Sequence, residues 1–88
     1  MNTESLTTEA HPLESEVQIL VFRSDINSSA KAALVLDELR KMQDIIEANV
    51  DLHDWENILR VACYPTCRAS QIENKLSQLG FKCNELAD

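Results

Sequence analysis

Three thiols carry most of the chemistry that this chain offers. Cys63 and Cys67 stand four positions apart across Tyr64-Pro65-Thr66, and Cys83 follows alone. A Cys-x-x-x-Cys spacing suits a shared soft cation or a disulfide, because thiolate sulfur is both a soft ligand and a redox centre. The same spacing suits two core residues, since a free Cys packs as a small hydrophobe. Three readings stand for Cys63 and Cys67: core packing, a redox pair, and a metal pair taking copper(I) or zinc through thiolates. Cys67 is expected at the start of a helix beside Arg68, where the helix dipole and the guanidinium would favour thiolate. Three is an odd count, which fits free thiols in a reducing compartment better than a disulfide framework.

A second group brings together His53, Asp54 and Trp55 with the earlier Ser24, Asp25, Asn27 and Ser28. Hydroxyls near a His and a carboxylate suggest nucleophilic catalysis. No spacing here specifies a Ser-His-Asp arrangement, and a domain of this size leaves little room for a pocket. The plainer expectation is a hairpin turn, with Asp54 as a turn residue and Trp55 capping the edge of the core. His11 has no companion ligands, and neither a Gly-rich phosphate loop nor a basic-aromatic strip is present. No catalytic residue and no cofactor-binding residue is expected.

These residues must be positioned by the elements around them. Residues 1–15 are polar, rich in Thr, Ser and Glu, and aperiodic, so a disordered tail is expected ahead of a domain over 16–88. Residues 17–23 run apolar and β-branched and predict a strand. Asn27 or Ser28 caps a helix over 30–42, where Ala32, Val35, Leu36, Leu39 and Met42 recur at helical spacing. Residues 45–52 then alternate, with Ile46, Ala48, Val50 and Leu52 on the dry face. After the turn at Asp54, Ile58 to Cys63 is a third strand, with Leu59, Val61 and Cys63 inward. Pro65 ends it. A second helix is expected over 68–79, started by a Ser70–Glu73 capping box or from Thr66, and stopped by Gly80. Phe81 to Leu86 completes the set, with Cys83 expected in the core.

Strand, helix, strand, strand, helix, strand is the order of a ferredoxin-like α+β sandwich. Its four-stranded antiparallel sheet has order 4-1-3-2 and both helices on one face. In that fold the first strand-to-helix join and the His53–Trp55 turn share one pole. Cys63 and Cys67 lie at the other. At about 3.3 Å per strand residue, Cys83 is more than about 10 Å from Cys63.

The order and the residues at the joins resemble the heavy-metal-associated (copper-chaperone-like) domains. The matching segments are Phe22 to Ile26, Val50-Asp51-Leu52, Ile58 to Val61, and Ile72 to Phe81 with its closing Gly-aromatic turn. The likeness spans about residues 17–86. It implies a Cys-x-x-Cys metal loop at the first strand-to-helix join. Here Ser28 and Lys31 fall at those two positions. A hydroxyl is a poor ligand for a soft metal, and an ammonium repels a cation. The resemblance therefore carries the fold, and no metal is expected at the family loop. The family uses that pole for contacts, which makes Ser24, Asp25, Asn27, Ser28, Ser29, His53, Asp54 and Trp55 the expected contact surface.

The formal charge is −7, from 8 Lys and Arg against 15 Asp and Glu. Such a surface repels phosphate backbones and anionic headgroups, so neither nucleic acid nor a membrane is an expected partner. The first Arg is Arg23, preceded by four Glu, so the chain lacks a secretory leader's basic start and is expected to be cytoplasmic. Its expected role is a small non-enzymatic binding domain without a cofactor. The partner is another protein or a second copy, with a homodimer forming through a sheet edge or a small apolar spot at Ile58 and Ala62 on the outer face.

Overall fold

The apolar run after Glu16 forms strand β1, Gln18–Ser24, whose Phe22 is fully buried. The computed structural model describes residues 16–86. The expected tail over 1–15 lies outside the described residues. Helix α1, Ser29–Arg40, follows a short join. Ser28 is its N-cap: the backbone is extended there, and its hydroxyl accepts the Lys31 N–H at 3.2 Å. Ala32, Val35 and Leu39 face inward, and Arg40 sits in the last turn, where a cation suits the helix dipole.

Strand β2, Ile45–Asp51, pairs antiparallel with β3, Ile58–Cys63. β3 pairs antiparallel with β1, setting Gln18 opposite Cys63 and Phe22 opposite Leu59. Helix α2, Ala69–Gln78, leads to β4, Cys83–Glu85, which lies on the other side of β1 with Ser24 opposite Cys83. The sheet order is therefore β2-β3-β1-β4, the expected ferredoxin-like 4-1-3-2 arrangement. The core fills the space between sheet and helices. Phe22, Ala48, Leu59, Val61 and Cys63 come from the sheet, Val35, Leu39, Ile72 and Leu76 from the helices, and Ile26 from the first join. Burying each Leu, Ile or Phe side chain contributes roughly 1.5–3 kcal/mol.

Helix α2 stops in a paired hydrogen-bond pattern. The Phe81 N–H donates to Leu76 O at 2.8 Å and the Gly80 N–H to Ser77 O at 3.0 Å. That pattern needs a left-handed residue, and Gly80 supplies φ +92°. At the other end the cap is Arg68, whose N–H donates to Gln71 Oε1 at 2.7 Å, so the expected Ser70–Glu73 box is not used.

Four expectations on packing are corrected. A bulge between Ile45 and Glu47 inserts a residue into β2 and shifts the alternation. Ile45 is thereby buried, while Ile46 is turned outward at 44% exposure. Leu52 lies beyond the strand, in the turn, and is 37% exposed. Ile58 is only 5% exposed, so it does not form the expected apolar spot with Ala62 on the outer sheet surface. The exposed apolar side chains from the sheet are Ile19, opposite Ala62, and Ile46. Cys83 is half-buried at the margin of the core, because β4 is three residues long and begins there.

Candidate functional site

One pole of the molecule is assembled around Ser24, the last residue of β1. Its N–H donates to Glu56 O at 3.0 Å and its hydroxyl to Asn57 O at 2.7 Å. The same hydroxyl accepts the Ile26 N–H at 3.2 Å. One serine thus fastens the join after β1 to the turn between β2 and β3. The adjacent Asp25 does the same for the end of α2: its N–H donates to Lys82 O at 3.2 Å, and its carboxylate accepts the Lys82 N–H at 2.9 Å. Ser24, Asp25, Asn27, Ser28, Ser29, His53, Asp54 and Trp55 therefore lie on joins gathered at one end.

The turn has its own scaffolding. Asp51 accepts the His53 N–H at 3.0 Å, and Asp54 accepts the Glu56 N–H at 2.8 Å. Both are short-range side-chain turns of the kind that suits Asp. Asn57, at φ +50°, closes the reversal with its N–H on Asp54 O at 2.8 Å. Trp55 was expected to cap the core edge. It instead projects from the apex at 87% exposure, because the tight reversal points residue 55 away from the sheet. Glu56 beside it is paired with Arg23 at 3.2 Å. The possible triad residues are engaged elsewhere: the Ser24 hydroxyl donates to a carbonyl, and the Asp54 carboxylate accepts a backbone N–H.

At the opposite pole Cys63 is fully buried and Cys67 is 1% exposed. Both belong to one buried cluster, and Gln18 Nε2 lies 3.7 Å from Cys63 Sγ and 2.8 Å from Cys67 O. Burial pushes Cys67 up to about 12, with Cys63 and the Asp44 carboxylate adding to it. Burial also raises Cys63, against the opposing hydrogen bonds from Cys67 and Gln18. The expectation that the helix start and Arg68 would favour a Cys67 thiolate is overturned: Cys67 precedes the cap residue Arg68 and is sealed from water. Cys83 is pushed up to about 11 by burial, then by Glu73 and Asp25. Among the described residues, no three His, Cys, Asp or Glu side chains gather as a metal site.

Comparison with family models finds no match, and comparison with curated proteins finds none. Solved structures do match. The yeast copper transporter domain Ccc2a is 19% identical with a TM-score of 0.71, covering 81% of this chain and 97% of that one. Oxidized MerP from Ralstonia metallidurans CH34 is 11% identical with a TM-score of 0.71, covering 81% and 99%. A copper binding domain from HMA7, a P-type ATPase, is 20% identical with a TM-score of 0.70, covering 78% and 93%. This chain has the fold of the heavy-metal-associated domains. Identities this low establish the fold alone.

On this heavy-metal-associated fold, the two positions that the resemblance assigns to thiols hold Ser28 and Lys31. Ser28 is committed to its cap, and the Lys31 ammonium donates to Asn27 Oδ1 at 2.9 Å. The sequence reasoning missed four participants. Arg23 and Glu56 form an ion pair beside Trp55, Lys82 backs Asp25, and Gln18 reaches the Cys63 thiol and the Cys67 carbonyl at the far pole. A signal existed for Gln18, which is a lone amide in an apolar strand. None existed for Arg23 and Glu56, whose meeting depends on the turn.

Proposed function

We propose that this domain is a non-enzymatic protein-binding module that docks through the Ser24–Trp55 pole. The observation that carries the reading is Trp55, the chain's one Trp, standing 87% exposed on a turn braced by hydrogen bonds. An indole in water is unfavourable surface, and Trp is enriched where partners meet. Leu52 and His53, both exposed, belong to the same turn. Ser28 and Lys31 support binding without metal at this pole, since neither supplies the soft ligand that copper(I) or zinc prefers. The groove of about 330 Å³ over Met42, Gln71, Asn74, Lys75 and Gln78 carries amides and one ammonium, which favours no reaction.

The test places a photoreactive residue at the exposed position 53, with Trp55 kept, and, in a second variant, at the exposed Arg60 on the sheet. A discrete protein adduct from 53 and none from 60 is the expected result. Adducts from both or neither position would overturn the docking pole. Alongside, reduced protein is titrated with copper(I) and zinc. Stoichiometric uptake abolished by Cys63→Ser and Cys67→Ser would replace the reading with a metal-binding one.

A further inference from the structure

The thiol pair lies outside the docking pole, and the proposed binding role leaves it unused. We propose that Cys63 and Cys67 are an oxidisable dithiol that closes into an intramolecular disulfide when the protein meets a peroxide. The backbone has already brought the two residues together. β3 ends at Cys63, and the Tyr64 N–H is anchored on Asp44 O at 2.9 Å. The Cys67 N–H then returns to Tyr64 O at 2.9 Å, closing a turn with Pro65 at its second position. The reversal returns the chain so that Cys63 and Cys67 enter the same buried cluster, both excluded from water.

Gln18 fixes the arrangement from the neighbouring strand. It is the register partner of Cys63, and its single amide nitrogen reaches both cysteines. Gln18 Nε2 is 3.7 Å from Cys63 Sγ, 2.8 Å from Cys67 O and 3.4 Å from Tyr64 O. Its bonds to the carbonyls of Tyr64 and Cys67, the first and last residues of the turn, hold the loop against the end of β1 beside Cys63. Cys83 is excluded from the pair. It sits opposite Ser24, whereas Cys63 sits opposite Gln18, and those two ends of β1 are about 20 Å apart at strand rise.

The chemistry balances with hydrogen peroxide as the oxidant. One Cys must first lose its proton, which the burial of both thiols disfavours, so closure is slow; the thiolate then attacks a peroxide oxygen. An S–O bond forms, the O–O bond breaks, and hydroxide leaves and takes up the thiol's proton as water. The product is a sulfenic acid. The second sulfur attacks the first, so that an S–S bond forms and the S–O bond breaks. The oxygen departs as a second water with the second thiol's proton. Two thiols lose two electrons in all, and one peroxide gains them. The neighbouring thiol matters because a sulfenic acid that lacks one goes on to sulfinic acid, which is not readily reversed. Burial calls for a small oxidant, and peroxide is one.

The experiment uses the full chain, reduced and then exposed to hydrogen peroxide. The protein is quenched, unfolded and alkylated with N-ethylmaleimide. Mass spectrometry is expected to show the loss of two hydrogens and a single label, on Cys83. The tryptic peptide from Val61 to Arg68 should contain both bridged cysteines, and dithiothreitol should restore three labelled thiols. Three labelled thiols after peroxide would overturn the proposal. So would sulfinic acid at Cys63 or Cys67, or a bridge that includes Cys83. The same treatment in urea is the geometric control: closure there at the native rate and with the native pairing would show that the fold contributes nothing. Neither outcome depends on whether Trp55 binds a partner.

Discussion

Ser28 and Lys31 are hydrogen-bonded to each other: the Ser28 hydroxyl accepts the Lys31 backbone N–H at 3.2 Å. The two positions that the family resemblance assigns to metal ligands therefore form a helix cap. Ser28→Ala should lower stability by about 1 kcal/mol, since it leaves a first-turn N–H without its partner. Urea melts compared at equal slope would measure this. The double change Ser28→Cys with Lys31→Cys should create copper(I) uptake that the natural chain lacks at this loop, read by competition with a chromophoric copper(I) chelator. Equal uptake before and after the change would contradict the proposed role of the loop.

Trp55→Ala separates binding from folding. The side chain is 87% exposed, so its loss should move stability by less than about 0.5 kcal/mol. If the indole anchors a partner, the crosslinked complex should weaken at least about tenfold, as truncation of a central Trp usually brings. An adduct formed from a neighbouring position, such as 53, gives the comparison. Unchanged adduct yield would remove Trp55 from the interface.

The buried thiols give stability a dependence on alkali. Cys67 titrates near 9.0 in an unfolded chain and is pushed up to about 12 in the fold. Between those values the unfolded chain loses its proton first, so folding stability is full below the lower value and is lost as pH rises toward the upper one. Cys63 moves in the same direction. Urea midpoints should therefore fall on going from neutral pH to about pH 10.5, and Cys67→Ala should flatten that slope. A midpoint that falls equally steeply in Cys67→Ala would assign the alkaline loss to other groups.

Gly80→Ala tests backbone preference without a packing change. A Cβ at residue 80 would meet nothing within 4 Å, yet φ is +92°. The expected cost is about 1–2 kcal/mol, from conformation alone. Chemical denaturation should show a shifted midpoint, and unchanged near-ultraviolet dichroism should confirm that the core is intact.

The elements were legible where one face alone decides the pattern. Val35 and Leu39 on α1, and Leu59, Val61 and Cys63 on β3, follow their expected periods into the core. Their order along the chain then dictated the sheet arrangement. Period failed at β2, because the bulge at Ile46 is a backbone event that residue types do not announce. Trp55 failed for a different reason. Aromatic character argues for burial, but the Asp54 and Asn57 turn sets where residue 55 points. The contact pole was legible as a set of joins, whereas the fastening of those joins through Ser24 needs coordinates. For Cys67, the favourable terms were visible in the sequence, and the dominant one, exclusion of water, was not.

The Ser24 hydrogen bonds have a consequence for how any partner is met. A recognition loop that must first become ordered loses conformational freedom on docking, and its affinity suffers accordingly. Here the turn that displays Trp55 is tied by main-chain and hydroxyl bonds to the end of a central strand. The platform is preorganised. Association should resemble the meeting of two rigid bodies, with a heat-capacity change set by the apolar area covered rather than by coupled folding.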